Sequence, residues 1–131
     1  MKTKLEKLDI LQSIPGIAKI TALEILAEMP EIGTLDQRQV AALAGLAPMA
    51  RDSGKWNGKR FIKGGRAHLR KALYMPALVA CRFNPDFKRK YTSLTDKGKP
   101  EKVAVTAIMR KLIILANALI RDKRKWVDNY A

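Results

Sequence analysis

Cysteine and histidine are almost absent from this 131-residue chain, which holds one of each, Cys81 and His68. One cysteine excludes an internal disulfide framework and a cysteine-rich zinc module, and one histidine excludes a His-rich metal site. No apolar run approaches the ~20 residues of a membrane span, and the first ten residues lack a signal-peptide core. The length allows one core, or one core and an appendage, but not a large multi-domain enzyme. We therefore expect a soluble cytoplasmic domain.

Acidic residues are also scarce, and charge is unevenly placed. The chain has 26 Lys and Arg against 12 Asp and Glu, a formal charge of +14. Residues 1–50 have a net charge of −1, whereas residues 51–131 hold 21 basic and six acidic residues, a net charge of +15. Those six acidic residues show no clustering that would chelate Mg²⁺. The second part is therefore expected to bind a polyanion, in the first place a nucleic acid; a merely soluble basic protein is the alternative.

Apolar residues recur at helical spacing through most of the chain, which predicts a mainly α-helical fold ending in a long helix. Thr34 and Gln37 predict a capping box at the start of the third helix, and Asn84 followed by Pro85 predicts another helix start. Pro76 should kink its helix or reset where that helix begins. The predicted helices run from Leu5 to Leu11, Ile20 to Met29, Thr34 to Pro48, Leu69 to Cys81, Pro85 to near Gly98, and Pro100 to Ile120.

A glycine-rich basic stretch at residues 47–66 breaks this helical pattern. Asn57-Gly58 predicts a tight hairpin turn because both positions tolerate positive φ. Lys55-Trp56 and Arg60-Phe61-Ile62 would be its two short strands. We therefore predict one short β-hairpin or glycine-rich loop near residues 51–65, where Trp56 and Phe61 pack the hairpin rather than stack on bases.

The turn from Ile14 to Lys19 resembles the turn of a helix-hairpin-helix motif. In that motif a glycine turn exposes backbone N–H groups that bind a DNA phosphate at the start of the second helix. Gly16 and Lys19 are the candidate contacts, although Ala18 replaces the usual second glycine. The alternative is a plain turn used for packing, which the net charge of −1 in this half favours.

Two further stretches could bind a phosphate or react with it. Ser53 beside a flexible Gly54 could act as a nucleophile, with Arg51 and Lys55 stabilising the charge of the transition state; a Ser-Gly dipeptide is also an ordinary turn. Downstream, glycines interleaved with cations let a backbone approach phosphate just before a helix N-terminus, the alternative being a solvated basic loop. The candidate phosphate contacts in this second stretch are Lys59, Lys63, Gly64, Gly65, Arg66 and Arg70.

Taken together, these motifs closely resemble the C-terminal transposase domain of the insertion sequence 110 family. Those RNA-guided recombinases are related to the Piv DNA invertases. The combination and order of the motifs carry the resemblance, which covers roughly residues 10–126. The motifs are SIPGI (13–17), LAGLAP (43–48), RDSGK (51–55), IKGG (62–65), LRKALY (69–74), NPDF (84–87) and GKPEKVAV (98–105).

The resemblance implies a specific chemistry. The conserved serine of the family maps onto Ser53, which would form a phosphoserine link to DNA. Family members also have an N-terminal RuvC-like domain whose DEDD acidic tetrad binds Mg²⁺, followed by a coiled coil. They act as dimers of dimers in which a bridge RNA pairs with target and donor DNA. The composite site joins the serine of one subunit to the tetrad of another.

No RuvC-like segment precedes residue 10, so we expect this chain to be one domain of a larger recombinase. It would comprise a helix-hairpin-helix-like subregion (1–50) and a basic subregion with the catalytic serine (51–131). It would hold no cofactor itself, and it would bind DNA without cleaving or rejoining it alone. Two other interpretations stay open: a non-catalytic helix-hairpin-helix or architectural DNA-binding protein, and a basic RNA-binding module.

Overall fold

The computed structural model describes residues 4–46 and 67–127, and within these ranges it forms six α-helices and no β-strand. This confirms the prediction of a mainly α-helical fold with a long C-terminal helix. The predicted β-hairpin near residues 51–65 lies outside the described residues. The helices are α1 (Lys4–Ser13), α2 (Lys19–Glu28), α3 (Gln37–Leu43), α4 (Ala67–Phe83), α5 (Pro85–Asp96) and α6 (Glu101–Arg121).

Helix α6 is the centre of the packing, because it contacts α1, α3, α4 and α5. Its length and composition would allow it to cross a membrane, but 56% of its most apolar stretch is buried inside the fold. Its apolar side chains are therefore accounted for by their place in a helical core, and one such helix does not indicate a membrane protein. The core side chains of α6 include Ile108, Leu112, Ile113, Leu119 and Ile120.

A buried amide on α6 holds the connection between α2 and α3. Asn117 is only 2% exposed. Its Oδ1 accepts a hydrogen bond from the Gly33 N–H (2.6 Å), and its Nδ2 donates to the Leu35 carbonyl oxygen (2.7 Å). Gly33 has φ +96°, and a Cβ there would lie 2.5 Å from the Cγ2 of Ile120. The connection thus sits so close to α6 that only glycine fits at position 33.

The capping box of α3 exists, but two residues later than predicted. The Asp36 carboxylate accepts from the Gln39 N–H (2.8 Å), and the Gln39 side chain accepts from the Asp36 N–H (3.0 Å). Thr34, the predicted cap, instead donates its hydroxyl to the Glu31 carbonyl oxygen (2.6 Å). The physical reason is the Asn117 amide, because it binds Leu35 and keeps that residue outside the helix.

Two other helix predictions involve proline. Asn84 caps α5 with its side chain, accepting from the Asp86 and Phe87 N–H groups, and Pro85 is the first helical residue, as predicted. Pro76 does not reset the start of α4, which is continuous from Ala67 to Phe83, so a kink at Pro76 is the alternative that stays a prediction. The ring of Pro76 is buried, so its packing compensates for the backbone hydrogen bond that proline cannot make.

Candidate nucleic-acid interface

A cleft of about 850 Å³ lies between α4 and α6. Gly45 and Leu46, just after α3, line one part of it, and Tyr91 of α5 lines another. Leu46 and Ala67 are the last and first described residues on either side of residues 47–66, and both line this cleft. The segment that carries Ser53 therefore leaves and rejoins the described fold at the same cleft.

The point where this segment begins is fixed by two local structures. Helix α3 ends in a Schellman motif, in which the Leu46 N–H bonds the Ala41 carbonyl (2.8 Å) and Gly45 adopts φ +73°. In addition, the Arg110 Nε–H on α6 donates to the Leu46 carbonyl oxygen at 2.9 Å. A hydrogen bond from a charged donor is stronger than a neutral one, so the core helix α6 holds Leu46 firmly at the cleft.

The electrostatics of the cleft favour an anion. Its described lining carries the cations Arg70, Lys71 and Lys102, together with His68, against one carboxylate, Glu101. Three cations facing one acidic group give the cleft a net positive potential at neutral pH, which concentrates a polyanion there.

Tyr91 and Glu101 form a pair within this cleft. Desolvation and the charge of the neighbouring Glu101 carboxylate raise the pKa of the Tyr91 hydroxyl. The Tyr91 hydroxyl is therefore protonated at neutral pH and is a donor, not a phenolate.

Most of the predicted site residues fall outside the described residues. These are Arg51, Ser53, Gly54, Lys55, Lys59, Lys63, Gly64, Gly65 and Arg66. Their roles stay predictions. Among the described candidates, Arg70 lines the cleft, whereas Gly16 and Lys19 do not.

The turn that joins α1 to α2 is built for packing at Gly16. This residue has φ +97°, and a Cβ on it would lie 3.1 Å from both the Pro76 carbonyl oxygen and the Val79 Cβ of α4. The close approach that Gly16 allows is thus an approach to α4. Lys19 begins α2 as an exposed residue after Ala18, which makes no side-chain cap. The helix pair exists, and phosphate binding by its turn stays a prediction.

Sequence reasoning missed Lys71, Tyr74 and Lys102, all of which line the cleft. A signal for the first two was present, because residues 67, 70, 71, 74 and 78 share one face of a helix. That face mixes polar and apolar residues, and the sequence does not show which element packs against it. Lys102 is brought to it only by the packing of α6 on α4.

A second groove, of about 510 Å³, lies on the opposite side of His68 and Lys71, between α2 and α4. Glu24 and Glu28 of α2 line it together with Met75. Two carboxylates against the same two α4 side chains make this groove far less suited to a polyanion than the cleft. The carboxylates of this groove come from the first half of the sequence, whereas the cations of the cleft come from the basic second half.

Metal and thiol chemistry find little support in the described part of the chain. Within residues 4–46 and 67–127, no three His, Cys, Asp or Glu side chains come together to hold a metal ion. Cys81 is half-buried, and burial raises the pKa of its thiol, which lowers its reactivity at neutral pH. Neither group adds a catalytic element to the cleft.

Known proteins match nearly the whole chain. The family model described as "Transposase IS116/IS110/IS902 family" matches residues 8–92. The pilin gene-inverting protein of Moraxella bovis is 36% identical over 120 residues, which is 88% of this chain and 37% of that protein. The 42 kDa protein of insertion element IS900 from Mycobacterium paratuberculosis is 36% identical over 120 residues, covering 87% of this chain and 29% of its own length. The chain thus spans about a third of the length of these curated relatives.

Proposed function

Because the chain belongs to the transposase IS116/IS110/IS902 family, we propose that it is the DNA-binding, catalytic-serine domain of an insertion-sequence transposase or recombinase. The observation that carries this proposal is the position of Leu46 and Ala67. Both line one basic cleft, so the segment bearing Ser53 is tethered at its two ends beside Arg70, Lys71 and Lys102.

In the proposed reaction the Ser53 hydroxyl oxygen attacks the scissile phosphate of DNA. A phosphoserine bond forms, one DNA phosphodiester bond breaks, and the hydroxyl proton of Ser53 passes to the leaving DNA oxygen. Attack of a DNA hydroxyl on the phosphoserine reverses these steps and rejoins the strand, with the number of phosphate ester bonds unchanged. Arg51 and Lys55 would neutralise charge on the pentacovalent phosphate, and Arg70 would hold a neighbouring phosphate.

The nucleophile is assigned to Ser53 rather than to a cleft tyrosine. Tyr91 faces the same cleft, but burial and the neighbouring Glu101 carboxylate raise the pKa of its hydroxyl, which disfavours the phenolate. Ser53 is assigned because it occupies the serine position of the RDSGK motif and lies between Arg51 and Lys55 in the sequence. The proposal therefore requires that Tyr91 be dispensable for bond breaking.

The other parts of the reaction belong to the full-length protein. A RuvC-like acidic domain binding Mg²⁺, a guide RNA and an oligomer are all part of the proposal for the full-length recombinase in the bacterial or archaeal cytoplasm. The described residues of this chain do not fit a metal site, so no step proposed for them passes through a metal.

Replacing Ser53 tests the proposal. In a full-length family protein whose matching segment is exchanged for this chain, Ser53→Ala should abolish covalent protein–DNA adducts and leave DNA affinity nearly unchanged. A Tyr91→Phe variant is the control and should still form adducts. If Ser53→Ala instead lowers DNA affinity, and adduct formation falls only in proportion to that loss, a purely binding role is favoured.

The isolated chain provides a separate test. Incubated with DNA and Mg²⁺, it should bind DNA without recombining it, because the acidic metal-binding residues are expected from another domain. Robust strand transfer by the chain alone would overturn this part of the proposal.

A second candidate function is a non-catalytic helix-hairpin-helix or architectural DNA-binding protein. One observation favours it: α2 begins at Lys19 without a side-chain cap, which suits binding of a phosphate to its first turn. It requires Lys19 and not Ser53, so Lys19→Gln should then weaken binding strongly. Competition between DNA and RNA tests the third interpretation, an RNA-binding module, since salt dependence alone cannot separate them.

A further inference from the structure

We infer that the cleft between α4 and α6 holds an unpaired nucleic-acid strand, with Tyr74 stacking on a base and Lys71 and Lys102 contacting the flanking phosphates. The inference deepens the proposed function and rests on it for the identity of the partner. It adds residues and a mode of binding that neither the family match nor the sequence motifs assign.

The lining of the cleft suits exposed bases better than an intact duplex. Its accessible apolar surface comes from Tyr74 and the partly exposed Leu78, while Leu46, Val105 and Met109 of the lining are buried. A duplex presents phosphates on its outside and keeps its base faces stacked inside. An apolar surface therefore gains nothing from a duplex, whereas the face of an unpaired base can be buried against it.

Tyr74 is the side chain placed to stack. It lines the cleft and is 48% exposed, so part of its ring is open to a ligand. Tyr91 is also in the cleft, but it is only partly exposed and lies beside the Glu101 carboxylate, which repels a phosphate. Stacking on an aromatic side chain is a sequence-tolerant contact because every base has a π-face.

Two lysines on different helices flank this tyrosine. Lys71 lies on α4, three residues before Tyr74, and Lys102 lies at the start of α6. Both line the cleft. A base held at Tyr74 thus has cations on two walls, which is the charge pattern of a strand-binding groove.

The test measures fluorescence anisotropy with the 131-residue chain and three probes: oligothymidylate, oligouridylate and a mixed-sequence duplex. Tyr74→Leu should weaken oligothymidylate binding by about 5- to 150-fold, the range for loss of one stacked base. Tyr74→Phe retains the ring and should retain affinity. Lys102→Gln should weaken binding, whereas Lys4→Gln, which removes the same charge from α1, should not.

Circular dichroism confirms that each variant is helical. If Tyr74→Leu does not fold, Tyr74→Gln, a polar replacement suited to this half-exposed position, removes the ring in its place. Tighter binding of either single strand than of duplex, dependent on Tyr74, supports the inference, and the preferred probe identifies the strand as DNA or RNA. Unchanged single-strand affinity in Tyr74→Leu and Lys102→Gln, or a duplex preference independent of Tyr74, overturns it.

Failure of this inference is distinguishable from failure of the proposed function. If the cleft variants bind normally while Ser53→Ala abolishes adducts, the strand lies elsewhere and the catalytic proposal stands. If Ser53→Ala still forms adducts while the cleft variants lose single-strand affinity, the reverse holds.

Discussion

Asn117 is the clearest case of a single side chain that organises the fold. Its amide forms hydrogen bonds with the Gly33 N–H and the Leu35 carbonyl oxygen, two backbone groups that lie outside the helices. Asn117→Leu approximately keeps the volume and removes both bonds. Because each orphaned buried polar group costs about 1–3 kcal/mol, we expect the free energy of unfolding to fall by roughly 2 kcal/mol or more.

Urea denaturation measures this change. Thr95→Ala is the control, because it removes an exposed bond from the Thr95 hydroxyl to the Thr92 carbonyl (3.1 Å) and should cost less than about 0.5 kcal/mol. Equal losses of stability in the two variants would show that the Asn117 amide does not hold the connection between α2 and α3.

Substitutions at Gly33 and Gly98 distinguish the free-energy cost of a left-handed backbone from the cost of a steric clash. Both have positive φ, +96° and +88°, but a Cβ at Gly33 would lie 2.5 Å from Ile120 Cγ2, whereas a Cβ at Gly98 would meet no atom within 4 Å. Gly98→Ala should therefore cost about 1–2 kcal/mol for the left-handed backbone alone. Gly33→Ala should cost about 1–3 kcal/mol more through overpacking.

Thermal unfolding of the two variants side by side gives the comparison. A Gly33→Ala variant no less stable than Gly98→Ala would mean that the loop can move away from α6 at no cost.

At the scale of elements, helix α6 ends with a lysine where glycine is favoured. The Arg124 N–H bonds the Leu119 carbonyl (3.0 Å), and Lys123 before it has φ +56°. This is the Schellman motif that uses Gly98 at the end of α5. Lys123→Gly should raise the free energy of unfolding by about 0.5–1 kcal/mol, since glycine removes the left-handed penalty.

Lys97→Gly is the matched control for that change. Lys97 has φ −84°, so glycine there gains nothing and adds only chain entropy to the unfolded state. A loss of stability in Lys123→Gly equal to that in Lys97→Gly would contradict the assignment of strain to Lys123.

Element boundaries show what the sequence could and could not predict. The start of α5 at Asn84-Pro85 and its end near Gly98 follow from local chemistry, and both are confirmed. The start of α3 does not, because it depends on a bond from Asn117, which lies 82 residues from Leu35. Local capping rules chose Thr34, and a tertiary contact moved the cap to Asp36.

For the whole molecule, the uneven charge was readable from the sequence, but the cleft was not. Its described lining comes from Gly45 and Leu46, α4, α5 and α6, and only their packing brings Lys71 and Lys102 to one surface. Arg70 could be predicted because it closely follows the glycine-rich stretch. The lysines could not, since nothing local distinguishes them from the other cations of the chain.

Salt dependence tests whether these lysines act together at one surface. The double variant Lys71→Gln/Lys102→Gln should flatten the slope of log K against log salt concentration for oligothymidylate by about 1.4, at about 0.7 for each phosphate that is no longer neutralised. The double variant Lys4→Gln/Arg38→Gln removes the same net charge from α1 and α3. Equal flattening in both would indicate diffuse attraction over the whole basic surface.

The proposed function requires that Ser53 become covalently linked to DNA. The direct measurement is mass spectrometry of adducts trapped during recombination by a full-length family protein that carries this chain as its matching segment. We predict a nucleotide attached through phosphate to the peptide containing Ser53, and no adduct in Ser53→Ala. An adduct mapped to Tyr91 or any other residue, or recombination by the Ser53→Ala protein, would contradict the proposed function.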